Sequence, residues 1–310
     1  MKPVYIYLIV FASFIVLMLI LNYIVCQFAF NSALTRAHDE AKEYNQTDEY
    51  MNNLKKVENI EKMEHEDLYI SSFDNLRLHA YYYKAKKATH KTVIAIHGWK
   101  GYAPFDSLFY CEYLLNDLDY NILMIDVRSH NKSEGKYITM GTLGYRDLLD
   151  WINLLEERDK NIEIGIIGVS MGATTAMLVS DKVDKLVKCI VEDSGFNNAY
   201  DQIKYLLGRK IHLLAPLLLP MLNILVKKRA HYDLKEYRVT DVLKNAKVPM
   251  LFIQGDKDTF VDYKNLDMLY SACTSKKEKR TFSGAKHARS YYENNESYAK
   301  LVNDFLEKYL

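Results

Sequence analysis

From Val4 to Phe30 the chain carries no charged side chain and few polar ones, with runs such as Tyr5-Ile6-Tyr7-Leu8-Ile9-Val10 and Phe14-Ile15-Val16-Leu17-Met18-Leu19-Ile20-Leu21. An apolar stretch of this length exceeds the ~20 residues a helix needs to cross a bilayer. A cleavable signal peptide has a shorter apolar core followed by small residues at the cut, and no Ala-x-Ala site follows here. Residues 1–32 are therefore expected to form an uncleaved transmembrane anchor, in contact with membrane lipid. Cys26 does not sit in a lipoprotein-type site, since Tyr23-Ile24-Val25 before it are not small. The polar segment 33–66 comes next, with ten acidic against five basic residues between Arg36 and Asp67. Within it Met51, Leu54, Val57, Ile60 and Met63 recur at every third position. That spacing predicts a helix with one apolar edge, suited to docking on the domain that follows.

From residue 67 onward the period changes. Leu68–Phe73 and Leu76–Tyr83 read as an antiparallel pair joined at Asp74-Asn75. Apolar runs at 92–97, 121–126, 163–168, 187–192, 248–254 and 278–282 then alternate with helical patterns. Continuous apolar strands between amphipathic helices predict an α/β domain over 67–310, with a mostly parallel sheet covered on both faces. Tyr298, Leu301, Val302, Phe305, Leu306 and Tyr309 mark a last helix docking on that sheet. Phe196–Asp241 departs from the alternation. Its apolar centre, Ile211–Val226, contains Pro216 and Pro220, which predict breaks, and it is too short for a second span.

Candidate chemistry sits at the ends of these strands. Gly168-Val169-Ser170-Met171-Gly172 follows the run Ile164–Ile167 and opens onto a helical pattern, the strand–turn–helix context of a nucleophile elbow. The competing reading makes Ser170 a helix N-cap between packing glycines. A base and an acid are sought downstream, each after a strand. His287 follows Thr281–Ala285, and Gly255-Asp256-Lys257-Asp258 follows Met250–Gln254. The order Ser170, Asp258, His287 is that of α/β-hydrolase triads rather than of the other known triads. Asp256 and Asp193 are rivals for the acid. The backbone N–H of Met171, just after the nucleophile, and that of Trp99, in the loop His97-Gly98-Trp99-Lys100-Gly101, are expected to form an oxyanion hole. His97 itself is read as a brace for that loop.

These segments, together with Asp126-Val127-Arg128-Ser129-His130, resemble the α/β-hydrolase superfamily, near its serine carboxylesterase and serine-aminopeptidase-like branches. The chain is similar in particular to bacterial hydrolases carrying an N-terminal membrane anchor. Asn131 stands where the family's Asp-x-Arg-x-His-Gly loop has glycine, and asparagine tolerates φ > 0 better than most residues. Asp126 and Arg128 are read as structural. The resemblance implies that residues 196–241 form a helical cap over the site. Its leucines could face the nucleophile, pack the cap onto the domain, or dip into the membrane surface, with Arg209, Lys210, Lys227, Lys228 and Arg229 near headgroups. Likeness to anchored members places the catalytic domain outside the cytoplasm.

Charge and cysteine content narrow the partners. The chain has 41 basic and 40 acidic residues, net +1, with no basic tract or phosphate loop, so nucleic acid is not expected. Cys111, Cys189 and Cys273 show no paired spacing, and no metal-ligand cluster or cofactor motif appears. The expected activity is hydrolysis of a small-molecule acyl or aromatic ester through an acyl-serine, with no cofactor or metal. Peptidase, amidase or acyltransferase chemistry on the same triad is the alternative, followed by a membrane-anchored binding module without catalysis.

Overall fold

The computed structural model describes residues 3–36, 48–107, 114, 119–183, 185–211 and 213–310. Eight strands form one sheet: β1 (Glu66–Ser71), β2 (Arg77–Tyr83), β3 (Lys91–Ile96), β4 (Asn121–Ile125), β5 (Glu163–Val169), β6 (Val187–Asp193), β7 (Met250–Gly255) and β8 (Lys277–Phe282). Their order is β1-β2-β4-β3-β5-β6-β7-β8. β1 and β2 pair antiparallel, as do β2 and β4, while every pairing from β4 to β8 is parallel. All eight runs singled out in the sequence are strands. The parallel register brings the carboxyl ends of β3, β5, β6 and β7 to one edge, where ligands bind in sheets of this kind.

Alternate side chains along each buried strand feed two cores. Ile94, Ile96, Leu123, Ile125, Ile164 and Ile166 point to one face, where α4 (Gly144–Arg158) lays down Leu148, Trp151, Ile152 and Leu155. Val93, Ala95, Ile122, Met124, Ile167 and Val191 point to the other, covered by α11 (Asn295–Tyr309) through Tyr298, Val302, Phe305 and Leu306. α2 (Asp48–Glu61) docks on this second face through Val57 and Ile60. Met63 falls past its end and is exposed, and the Met51 and Leu54 side chains and Cys111 lie outside the described residues. Of the remaining helices, α3 (Ala103–Asp106), α5 (Met171–Met177), α8 (Val239–Leu243), α9 (Lys264–Ala272) and α10 (Ser290–Glu293) follow strands or loops of the same domain.

Residues 196–241 contain two longer helices, α6 (Ala199–Ile211) and α7 (Ala215–Ala230). The prolines do not break α7. Pro216 occupies its first turn, where an N–H has no intrahelical acceptor in any case, and Pro220 forgoes the one bond it would make to the Pro216 carbonyl. Packing against the N-terminal helix holds the rest.

That N-terminal helix, α1, runs from Pro3 to Leu34 and is long and apolar enough to cross a membrane. Its first five turns are exposed, but Cys26, Phe30 and Leu34 are buried in the first core. Asn22 Nδ2 donates to the Leu217 carbonyl at 2.9 Å, and Cys26 Sγ to that of Leu218 at 3.3 Å. The Arg229 guanidinium lies over the Phe30 ring. Beyond the helix, Ile138 N–H donates to Leu34 O, and Thr35 bridges to Tyr137. The boundary read at residue 32 thus falls inside a helix whose last turns belong to the domain.

Because Phe30 is a core residue, Phe30→Ala should cost about 3–5 kcal/mol of stability. Phe11→Ala, on the exposed part of the same helix, should cost almost nothing. Denaturant unfolding in detergent distinguishes the two.

Candidate active site

Ser170 occupies the turn between β5 and α5 at φ 54°, ψ −113°. A non-glycine residue rarely holds a positive φ, and here close packing enforces it. A Cβ on Gly168 would lie 2.4 Å from the Gly172 carbonyl oxygen, and one on Gly172 would lie 2.2 Å from the Ile96 oxygen. Neither position admits a side chain, so the turn seats directly under the end of β3. The Ser170 side chain makes no N-cap hydrogen bond. Its hydroxyl instead reaches His287, with Oγ 2.9 Å from Nε2.

The other imidazole nitrogen, Nδ1, lies 2.8 Å from Asp258 Oδ2. An ionised carboxylate only accepts, so this contact makes Nδ1 the donor and leaves Nε2 to accept from the serine. Asp258 is itself fixed. Its Oδ1 accepts from the Phe260 and Val261 N–H groups, each at 2.9 Å, and its Oδ2 from Gln254 Nε2 at 3.1 Å. The structure thus brings Ser170, His287 and Asp258 into one hydrogen-bonded line from three separate loops.

The rival acids bond elsewhere. Asp256 accepts from Gly284 N–H at 2.8 Å and from Ser283 Oγ at 3.3 Å, bracing the loop that carries His287. Asp193 accepts from Ser194 Oγ at 2.7 Å and from Tyr298 Oη at 2.9 Å. Burial pushes its carboxyl up to about 6.

Met171 is the first residue of α5, so its N–H has no intrahelical acceptor. Trp99 stands in the loop after β3, where Gly98 N–H donates to Asp106 Oδ2 at 2.9 Å. His97 is fully buried. Its Nδ1 lies 2.8 Å from Gly98 O, and its Nε2 accepts from Val127 N–H at 3.0 Å. Burial drives it down to about 3, so it is neutral and braces the loop. His130, also driven down by burial, to about 4, accepts from Lys100 N–H and packs on the His97 ring. Asn131 adopts φ 41° and donates to the Asp126 carboxylate, so the departure from glycine is accommodated by both backbone and side chain. Asp126 is also held by His79, and Arg128 by Asp147 and Asp74.

Several contributors carried no sequence motif. Phe260 packs between Trp99 and His287, with ring centroids 6.1 and 4.9 Å away. Asp106 is half-buried, its carboxyl raised by desolvation to about 6, and it orders the Gly98 amide. Glu192 is buried beside Asp193 and accepts from Gly195 N–H at 2.9 Å. Only the position of Gln254, four residues before Asp258, offered a signal. Among the described residues, no group of three or more His, Cys, Asp or Glu side chains could hold a metal ion.

A mostly parallel eight-stranded sheet with a tight Gly-x-Ser-x-Gly turn after β5 is the architecture of an α/β-hydrolase superfamily serine hydrolase. Within that superfamily, the chain belongs to the prolyl oligopeptidase family, whose profile matches residues 107–310. It is 31% identical to the Bacillus subtilis protein YqkD over 232 residues, 73% of this chain and 74% of that one. It is 25% identical to the Arabidopsis thaliana α/β-hydrolase domain-containing protein WAV2 over 258 residues, 79% of each. Among solved structures, a Pyrococcus furiosus esterase superposes with TM-score 0.65 at 26% identity, covering 79% of this chain and 91% of its own.

Gly172→Ala should lose about 3 kcal/mol of stability, because the clash is with backbone that cannot swing aside. Thermal unfolding checks it. Burial raises the Glu192 carboxyl from 4.5 to about 8, so the folded state binds the extra proton. Its contribution to stability is complete below pH 4.5 and is lost as pH rises to about 8. Glu192→Gln keeps an acceptor for Gly195 and should flatten the pH dependence of unfolding across that window.

Proposed function

We propose that the protein is a serine esterase that hydrolyses acyl or aromatic esters through a covalent acyl-serine. The observation that carries this reading is the line Asp258–His287–Ser170, with contacts of 2.8 and 2.9 Å. His287 Nε2 takes the Ser170 proton as Oγ attacks the substrate carbonyl carbon. Asp258 keeps the imidazole in the required tautomer and offsets the charge it acquires. The Met171 and Trp99 amides receive the oxyanion. On collapse of the tetrahedral intermediate, His287 passes the proton to the departing alkoxide or phenolate. Water then attacks the acyl-serine, giving its proton to His287, and the serine hydroxyl is restored as the acid leaves.

The neighbour described as an esterase supports an ester substrate. The prolyl oligopeptidase match supports a second reading, peptide hydrolysis on the same residues. Esters rank first because an alkoxide or phenolate leaves more readily than an amine. Helix α1 is read as a membrane anchor, supported by its length, its uncharged sequence and the exposure of its first five turns.

Hydrolysis of p-nitrophenyl acyl esters tests the reading against acyl-p-nitroanilides of equal chain length. Ester turnover should exceed anilide turnover, and Ser170→Ala should remove about 10⁶-fold of it. Faster anilide cleavage would establish the peptidase reading instead. Asp258→Ala should cost about 10⁴-fold and Asp256→Ala far less; equal losses would displace Asp258 from its role.

A further inference from the structure

The cap carries an apolar surface that the catalytic reading does not use. Leu213 and Leu214, in the turn between α6 and α7, and Leu217, in the first turn of α7, are 86%, 50% and 59% exposed. Three exposed large aliphatic side chains this close in the chain form an apolar patch of the kind that marks a contact surface.

The contacts of α1 fix where this tip lies. Asn22 meets Leu217, Cys26 meets Leu218, and Phe30 meets Arg229, so α1 and α7 run side by side in the same direction. The start of α7, and the tip before it, therefore sit level with Asn22. Counting from Val4 at 1.5 Å per residue, a hydrocarbon core of about 30 Å ends near Tyr23. The exposed leucines thus fall at the depth where the anchor leaves the hydrocarbon. Tyr23, Ile24 and Val25, at the same level along α1, are also exposed.

The same helix reaches the catalytic loops. Trp99 Nε1 donates to the Ala33 carbonyl at 2.7 Å, about 15 Å further along α1 than Tyr23. The Trp99 ring stacks on Phe260, which packs on His287. Gln202 of α6 donates to the Phe260 carbonyl at 2.7 Å, tying the cap to the Asp258 loop. A chain of contacts therefore links α1, the Trp99 loop, α6 and His287.

We propose that the α6–α7 tip inserts into the bilayer beside α1 and that the enzyme draws amphiphilic acyl esters from the membrane surface. This rests on the readings of α1 as an anchor and of Ser170 as a nucleophile. The occupant of the leucine tip is lipid hydrocarbon, and the substrate is an ester whose acyl chain partitions into it.

The test uses the full chain reconstituted in phosphatidylcholine–phosphatidylglycerol vesicles, with and without acyl-chain bromine as a quencher. Leu213→Trp reports the tip and Ile15→Trp reports the anchor, each against the parent signal of Trp99 and Trp151. Bromine should quench both introduced tryptophans. Leu213→Glu/Leu217→Glu should slow hydrolysis of a vesicle-borne long-chain ester at least tenfold, since each leucine withdrawn from water contributes more than one tenfold step. Its hydrolysis of a water-soluble short ester should be unchanged, which also reports correct folding. Quenching at Ile15→Trp without quenching at Leu213→Trp overturns the tip insertion and leaves the anchor. Quenching at neither overturns the anchor and the tip together. Quenching at both with no hydrolysis of either ester overturns the enzymatic reading alone, and equal slowing on both esters overturns membrane delivery of the substrate.

Discussion

The backbone at Ser170 is held at a positive φ by two glycines that let the β5–α5 turn press against the end of β3. An isolated turn would relax out of this conformation, at a gain of order 1–3 kcal/mol. The parallel register of β3, β5 and β7 prevents that relaxation. Because β3 lies beside β5, the Ile96 carbonyl is fixed where Gly172 must pass. Because β7 lies two strands further on, the Asp258 loop and the β8 loop with His287 arrive on the same edge. Strain at one residue is thus balanced by the cooperative pairing of the sheet.

Polar burial around this edge follows the same logic. His97, His130, Glu192 and Asp193 are withdrawn from water and Asp106 partly so, and each has its hydrogen bonds directed to a loop amide, a carbonyl or a hydroxyl. Burial pushes the two histidines down and the three acids up, toward neutral forms. Asp258 differs in kind, with two backbone amides and a glutamine amide converging on its carboxylate. Most of the buried ionisable groups therefore orient backbone, while this one orients the imidazole.

The strands and the three converging loops were legible in the sequence because their signals are local. A continuous apolar run, two glycines around a serine and an aspartate after a strand each report their own backbone. Long-range partners were not legible. Cys26, Phe30 and Leu34 look the same in sequence as the exposed positions of α1, since a helix apolar on every side carries no continuous polar face to mark which side is packed. Pro220 reads as a breaker until α1 is placed alongside α7. Asp106 and Phe260 belong to no motif, and their positions follow only from how β3 and β7 bring their loops together. Asn131 was legible in part: its tolerance of positive φ is intrinsic, but its bond to Asp126 required the folded loop.

The candidate site and the N-terminal helix are parts of one packed unit, because the last turns of α1 enter the core and its Ala33 carbonyl holds the Trp99 side chain. The account depends on Ser170 being an activated nucleophile rather than a strained structural turn. The most direct measurement is reaction of the full-length protein with a fluorophosphonate, followed by peptide mass mapping. The account predicts stoichiometric phosphonylation of Ser170, lost in His287→Ala. A folded protein that remains unmodified, or is modified at another residue, would contradict it.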